Sequence, residues 1–180
     1  MKRPREVIVG VTGSIASYKA CDVIALLRTR DLKVTPVLTR EAHHFITPLT
    51  LETLACSKVF SDMFEVPTEW EPLHVSLADR ADAVVIVPAT ANVIGKLASG
   101  ICDDLLTCVV FATKAPVVIA PAMNDRMYMH SIVQENIARL KAAGFTFVGP
   151  VKGRLACGRE GIGHLAPVEA IVSAVTRLLT

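Results

Sequence analysis

Three short segments of the sequence combine amide, thioether, thiol and hydroxyl side chains at spacings that could serve a reaction. They are Pro88-Ala-Thr-Ala-Asn-Val93, Pro121-Ala-Met-Asn-Asp-Arg-Met-Tyr128 and the glycine-rich Leu155-Ala-Cys-Gly-Arg-Glu-Gly-Ile-Gly163. A separate residue, His74, could take or give a proton near neutral pH, and the thiol of Cys157 could donate one. Because catalytic and binding residues concentrate in loops and at strand ends, these positions form the candidate site.

A glycine turn near the start of the chain indicates an anion site. Gly10-Val-Thr-Gly-Ser-Ile-Ala16 follows an apolar run and precedes a helical pattern, a place where free N–H groups and the helix dipole bind anions. The turn lacks the third glycine of a dinucleotide fingerprint and the Gly-Lys pair of a Walker A loop. Leu38-Thr39-Arg40 has no acidic residue to bind an adenosine ribose. The hydroxyls of Ser14 and Thr39 therefore favour a phosphate monoester such as FMN, although such a turn can also be purely structural.

The elements that must position these residues alternate between short apolar runs and helix-period segments. This pattern is typical of a three-layer α/β fold, Rossmann-like or flavodoxin-like, with a parallel sheet between helices. We expect one domain over residues 1–180. The predicted strands are Val7–Val11, Lys33–Leu38, Ala83–Val87, Pro116–Ala120 and Phe145–Val148.

Three helices and two irregular segments complete the prediction. The helices run from near Ser14 to about Arg30, from Ser131 to Ala143 with Gly144 as the stop, and from Ala166 to Leu179. The inner side of the first helix is predicted to hold Ile15, Tyr18, Ala20, Val23, Ile24 and Leu27. Glu65–Pro72 is predicted as a loop. Gly149–Gly163 shows little periodicity and is predicted as a flap.

Composition excludes several classes of protein. Hydrophobic residues make up 52% of the chain and the net charge is +2, so neither disorder nor a nucleic-acid-binding face is indicated. No apolar stretch is long enough to suggest a membrane span. The five cysteines form no CxxC pair, which argues against a zinc site and a disulfide framework. We expect a cytoplasmic protein without a metal.

Taken together and in this order, the motifs resemble those of the homo-oligomeric flavin-containing cysteine decarboxylases. That family has a PASANT segment, a PxMNxxMW segment and an ACGxxGxG flap, and the resemblance runs from Val7 to about Ile171. In this chain Val93 replaces a hydroxyl residue, Tyr128 replaces tryptophan, and His164 stands where members often carry arginine. Many bacterial members continue into a fused synthetase domain, so the chain could be a free-standing enzyme or the front half of a bifunctional one.

The resemblance implies an FMN cofactor and a set of site residues. The implied FMN contacts are Gly13, Ser14, Ile15, Thr39, Phe45, Thr90, Ala91 and Asn92. The implied substrate contacts are Met123, Asn124 and Met127. His74 would assist oxidation of the substrate, as a base or as an orienting group, and Cys157 would protonate the decarboxylated intermediate. The family builds its flavin site between subunits, so we expect a homo-oligomer, either a trimer or an assembly of trimers.

The reaction that the resemblance implies removes the carboxyl group of a cysteine. Oxidising the CH₂–SH group to a thioaldehyde gives the electrons of the departing CO₂ a place to go, and a flavin is a suitable oxidant. Re-reduction of the resulting enethiolate would complete the cycle. Because Cys157 is present, the branch that acts on 4′-phosphopantothenoylcysteine in coenzyme A biosynthesis is favoured over the branch that modifies peptides. The residue that holds the substrate phosphate is not identified by the sequence.

Other functions are compatible with parts of the pattern. A peptidyl-cysteine decarboxylase is disfavoured by Cys157, and a regulatory flavoprotein of the same fold is disfavoured by the lack of a long acidic tail. A flavin prenyltransferase is disfavoured by the Pro-Ala-Met-Asn segment and His74. Taken singly, His74, Asn124 and Cys157 each have a structural explanation, as a capping, a turn and an incidental loop residue.

Overall fold

The centre of the protein is a five-stranded parallel sheet with the strand order β2-β1-β3-β4-β5. The computed structural model describes residues 3–64, 71–154, 158 and 160–179. The strands are β1 Glu6–Val11, β2 Lys33–Leu38, β3 Ala83–Ala89, β4 Val117–Pro121 and β5 Thr146–Phe147. All five lie within one or two residues of the positions that the sequence predicts, because runs of β-branched residues between turn-forming residues leave little choice.

Helices cover both faces of this sheet. They are α1 Lys19–Arg28, α2 Pro48–Ala55, α3 Leu73–Arg80, α4 Ala91–Ser99, α5 Leu105–Ala112, α6 Asp125–Met129, α7 Ser131–Ala142 and α8 Val168–Leu178. Alternate residues of β1 point to opposite faces, so that Val7 and Val9 pack with α1, α2 and α8 while Ile8 packs with α4, α5 and α7. The predicted three-layer α/β architecture is confirmed. None of the described helices is both long and apolar enough to cross a bilayer.

The first helix differs from the prediction at its start. Residues Ile15–Tyr18 form a 3₁₀ helix, and only Lys19–Arg28 is α-helical. The tighter 3₁₀ turn changes which side chains face inward, so that Ile15 is 63% exposed and Tyr18 is 57% exposed. Their predicted place on the buried side is therefore wrong. The other predicted inner residues are buried, namely Ala20, Val23, Ile24 and Leu27.

The glycine-rich flap contains more regular structure than its sequence indicates. β6 Val151–Arg154 and β7 Glu160–His164 pair as an antiparallel hairpin. Glycines let this hairpin lie against α6 and the segment before it, since a Cβ at Gly161 would lie 2.7 Å from the Cβ of Asp125 and one at Gly163 would clash with the carbonyl oxygen of Met123. The backbone N–H of Met123 donates to the carbonyl of Gly163 at 3.1 Å. Of the predicted loop Glu65–Pro72, residues 65–70 lie outside the described residues.

A buried acid, Glu6, lies at the amino-terminal end of β1 and connects neighbouring elements. Glu6 is 2% exposed, and its carboxylate accepts hydrogen bonds from Lys33 Nζ at 2.9 Å and Thr35 Oγ1 at 2.7 Å. Arg80 Nε lies 3.0 Å from Glu6 Oε1, a contact between charges whose angle is not that of a hydrogen bond. The Glu6 N–H donates to Asp82 Oδ2 at 2.7 Å. These contacts join β1, β2 and α3.

Replacing Glu6 with alanine should lower the free energy of unfolding by about 3 kcal/mol. This value is at the lower end of the range for a broken buried ion pair, because Lys33 and Arg80 keep contact with water. Urea denaturation measures it through the transition midpoint. Asp22→Ala is the control, because its ion pair with Lys19 is exposed and should contribute at most about 1 kcal/mol. Equal losses for both variants would contradict a structural role for the buried cluster.

Candidate active site

The predicted motifs meet at the carboxyl ends of β1, β3 and β4, the edge at which open α/β sheets bind ligands. A cavity of about 270 Å³ lies there. Its walls include most of the predicted FMN-binding residues and two of the predicted substrate-binding residues, namely Gly13, Ser14, Thr39, Thr90, Ala91, Asn92, Met123 and Met127. Four segments far apart in the sequence therefore share one small cavity.

The glycine turn after β1 has the geometry of a helix start. Ser14 is the N-cap of the 3₁₀ helix, and its Oγ accepts from the Ala16 N–H at 3.3 Å. Ser17 completes the cap by accepting the Ser14 N–H at 3.3 Å. A side chain at Gly13 would place its Cβ 2.4 Å from the Cβ of Glu41. Glycine is therefore required for the loops after β1 and β2 to come together.

A buried threonine joins the loops that follow β1 and β3. Thr12 is 2% exposed, and its Oγ1 donates to the Pro88 carbonyl at 2.6 Å and accepts the Thr90 N–H at 3.2 Å. Thr90 in turn caps α4, with its Oγ1 accepting the Val93 N–H at 3.4 Å. The sequence analysis missed Thr12, although a polar residue directly after an apolar strand is a usable signal. Its hydroxyl fixes the spacing between the two loops that line the cavity.

Thr39 presents a buried hydroxyl to this cavity. The residue is 7% exposed, and its backbone N–H donates to the Val11 carbonyl at 3.0 Å. Its Oγ1 has no hydrogen-bond partner among the described residues. A buried polar group left unpaired costs about 1–3 kcal/mol. An oxygen of a ligand in the cavity would remove that cost, so the site fits a phosphate-bearing cofactor.

A second and larger cavity adjoins the first. Its volume is about 1240 Å³, and it shares Ser14, Ala122 and Met123 with the smaller one. Its walls come from α1, the β6–β7 hairpin and the start of α8, and they include Asn124. Asn124 caps α6 through its Oδ1, which accepts the Arg126 N–H at 2.9 Å. Its amide NH₂ forms no hydrogen bond with the described residues and is free to donate to a ligand at the junction of the two cavities.

A family model described as Flavoprotein matches residues 1–180. The chain belongs to the Flavoprotein family. It is 44% identical over 172 residues to the coenzyme A biosynthesis bifunctional protein CoaBC of Bacillus subtilis (strain 168), a match that covers 96% of this chain and 42% of that protein. This flavoprotein chain therefore spans about two fifths of the length of that relative.

Two solved structures show the same fold. A mutant of PPC decarboxylase complexed with pantothenoylaminoethenethiol superposes with a TM-score of 0.88 at 32% identity, covering 97% of this chain and 98% of the other. The FMN-dependent cysteine decarboxylase SpaF superposes with a TM-score of 0.85 at 31% identity, covering 99% of this chain and 98% of the other. The described architecture is thus that of flavin-dependent decarboxylases over nearly their whole length.

The flavoprotein chain does not gather every predicted site residue into one place. Ile15 lines the larger cavity rather than the smaller one. Phe45 is 47% exposed and lines neither cavity. His74 lies half-buried in the first turn of α3 and also lines neither. Cys157 lies outside the described residues, but Arg154 and Gly158, on either side of it, line the larger cavity.

Two acidic residues of the smaller cavity were not predicted. Glu41 lies two positions beyond the strand-end threonine, so a search for an acid that stops at Arg40 misses it. Asp104 is the N-cap of α5, and its Oδ1 accepts the Thr107 N–H at 2.8 Å. Lys96 Nζ lies 3.0 Å from Asp104 Oδ2 and 2.7 Å from Asp103 Oδ1.

The hydrogen bond from Lys96 lowers the pKa of Asp103 and keeps this acid ionised. Asp103 does not line the smaller cavity, whereas the carboxylates of Glu41 and Asp104 do, and they suit the hydroxyl and N–H donors of a flavin. No cluster of His, Cys, Asp and Glu among the described residues could hold a metal ion.

Thr39→Val should weaken FMN binding by roughly 10- to 100-fold, because a hydrogen bond to a charged group contributes about 1.5–3 kcal/mol. The same change should leave the FMN-free protein as stable as before or more stable, since the unpaired hydroxyl is removed. Quenching of flavin fluorescence measures the Kd, and thermal unfolding measures stability. Thr53→Val is the control, because its exposed hydroxyl bonds only to Leu49 on α2. Unchanged FMN affinity in Thr39→Val would contradict the assignment of this hydroxyl.

Proposed function

We propose that this chain binds FMN in the smaller cavity and uses it to decarboxylate 4′-phosphopantothenoylcysteine to 4′-phosphopantetheine in coenzyme A biosynthesis. The observation that carries the proposal is the junction of the two cavities. Ser14, Ala122 and Met123 belong to both, so a ligand in the larger cavity can touch a cofactor in the smaller one. The likeness to a PPC decarboxylase and to the coenzyme A biosynthesis protein supports this substrate.

The residues around the smaller cavity would hold the cofactor through its polar groups. The hydroxyls of Ser14 and Thr39 suit its phosphate, since both residues line the smaller cavity and the Thr39 hydroxyl has no partner among the described residues. Thr90, Ala91 and Asn92 form the wall at the start of α4. Bound FMN supplies the two-electron oxidation and re-reduction of the substrate that side chains cannot perform.

The substrate residues would act on the cysteine end of the substrate. The free NH₂ of Asn124 would donate to the carboxylate and orient it, with Met123 and Met127 beside it. His74 would accept the thiol proton as the CH₂–SH group is oxidised to a thioaldehyde. Loss of CO₂ then leaves an enethiolate, because the bond electrons move into the C=S group. The thiol of Cys157 would return a proton to this enethiolate during its reduction.

We infer that His74 acts in the site of a neighbouring subunit. In one chain it lies on α3 and lines neither cavity, whereas Asn124 and the residues flanking Cys157 line the larger one. A second copy that brings its own α3 to this edge would complete the set. Exposed apolar side chains near the cavities, such as Met127 at 49% and Ile15 at 63% exposure, suit such an interface. We therefore propose that the protein forms a trimer or an assembly of trimers. We also propose that it acts in the cytoplasm.

The likeness to SpaF keeps oxidative decarboxylation of a peptidyl cysteine as a second candidate. The two candidates differ in the fate of the enethiolate. A peptide-modifying enzyme of this kind needs no proton donor, so Cys157 favours the first candidate.

The mass of the product separates these candidates. With 4′-phosphopantothenoylcysteine, the FMN-loaded protein should form a product lighter by CO₂ alone. Cys157→Ser should give a product lighter by CO₂ and two hydrogens, because the proton for the reductive half is missing. His74→Asn should form neither product while keeping its FMN. A saturated product from Cys157→Ser, or turnover by His74→Asn, would contradict the respective role, and no reaction by the unaltered protein would contradict the proposed function.

Mixed oligomers test the inference about the neighbouring subunit. His74→Asn and Cys157→Ser chains, co-expressed with different tags and purified through both, should regain formation of the saturated product. The reason is that a His74 and a Cys157 from different chains can then meet in one site. The control is a mixture of the two separately purified variants without subunit exchange, which should not form the saturated product. Light scattering should give the mass of an oligomer, and an FMN-binding monomer would contradict the inference.

A further inference from the structure

We propose that Arg154 binds the phosphate group of the substrate, an inference that rests on the proposed decarboxylase function. Arg154 is the last residue of β6 and lines the larger cavity. His164 stands in the neighbouring strand β7 and lines the same cavity. The walls of the larger cavity offer a small set of candidates for that role.

The length of the substrate directs its phosphate into this cavity. Its cysteine end must reach Asn124 and Met123, where the two cavities meet, in order to react. The pantothenoyl chain and the phosphate then extend away from the smaller cavity, and the larger cavity of about 1240 Å³ has room for them. A cationic side chain binds a phosphate through charge-assisted hydrogen bonds, which are stronger than those from neutral donors. Among the described residues, three that can carry positive charge line the larger cavity, Lys19, Arg154 and His164.

The charge of Lys19 is already balanced. Its Nζ lies 3.0 Å from Asp22 Oδ2, and this hydrogen bond, together with the charges of Asp22 and Glu169, raises its pKa. Asp22 and Glu169 line the same cavity. Its Nζ also lies 5.2 Å from the centre of the Tyr18 ring. Two carboxylates thus lie near the Lys19 ammonium, so a phosphate would gain little binding energy from this lysine.

Arg154 has no such partner. Among the described residues, no acid forms an ion pair with its guanidinium, and this includes Glu160, which lies opposite it in the hairpin. Arginine is always charged and presents paired donors that match two phosphate oxygens, whereas histidine is charged over only part of the physiological pH range. The Met123 N–H donates to the carbonyl of Gly163. The hairpin that carries Arg154 is therefore tied to the segment that carries Asn124.

Two substrates that differ only in the phosphate test this role. The ratio of kcat/KM for 4′-phosphopantothenoylcysteine to that for pantothenoylcysteine measures recognition of the phosphate. Arg154→Met should lower this ratio by roughly 10- to 100-fold, the effect of removing a charge-assisted hydrogen-bonded pair. Arg154→Lys keeps the charge but loses the paired donors, so its ratio should lie between that of the unaltered protein and that of Arg154→Met. Lys152→Met is the matched control, since this exposed lysine of the same strand does not line the cavity.

Variants of Lys19 and His164 test whether another cation of the larger cavity binds the phosphate. A fall in the ratio for Lys19→Met or His164→Gln, with none for Arg154→Met, would assign the phosphate elsewhere and overturn the proposal. Equal losses on both substrates in Arg154→Met would also overturn it, because that pattern indicates a structural role. If the unaltered protein decarboxylates both substrates equally well, the phosphate is not recognised and only this inference fails. If it decarboxylates neither, the proposed function fails and this inference fails with it.

Discussion

The burial of both faces of the parallel sheet is the constraint on which the rest of the structure depends. The residues of β1, β3 and β4 are buried throughout, so these strands carry almost only apolar side chains. Polar groups that bind or react must then lie beyond the strand ends, where the chain turns into helices. The parallel arrangement brings these ends to one edge. Thr12, Thr39, Thr90 and Asn124 all follow strands in this way and surround adjoining cavities.

Hydrogen bonds between the strand-end loops then give the site its dimensions. The Thr12 hydroxyl sets the distance between the loops after β1 and β3, and the absence of a side chain at Gly13 lets the loop after β2 close against them. Because these contacts are internal to the protein, the smaller cavity is formed before any ligand enters. The Thr39 hydroxyl is the exception. It forms no hydrogen bond with the described residues, and a ligand can provide the partner.

The β6–β7 hairpin serves the larger cavity in a comparable way. Glycines at 161 and 163 allow it to lie against α6 and the segment before it, at distances that a Cβ would prevent. The hairpin thereby adds a wall with an arginine that has no ion-pair partner among the described residues, whereas on the wall from α1 Asp22 balances Lys19. These two walls differ in charge, and this difference suits a ligand that carries one anionic group. The smaller cavity has its own acids, Glu41 and Asp104, which suit the hydroxyl and N–H donors of a flavin.

The sequence by itself determined the α/β class, the five strands and most of the residues around the smaller cavity. It could do so because β-branched runs, glycine turns and helix caps act locally, and because strand ends of a parallel sheet must meet. The order of motifs also indicated the family. The helical repeat could not show that Ile15 and Tyr18 are exposed, because it assumes 3.6 residues per turn and residues Ile15–Tyr18 form a tighter 3₁₀ helix.

Only the tertiary structure decided how distant segments combine. Glu41 and Asp104 enter the smaller cavity because loops from different strands pack together, and no spacing in the sequence records that contact. The hairpin hidden in the glycine-rich segment depends on pairing across residues that lack periodicity. The position of His74, away from both cavities of its own chain, is likewise a property of the packed molecule. Sequence patterns identify residues that can do chemistry, whereas packing decides which of them share a site, because proximity in the fold depends on contacts between elements far apart in the chain.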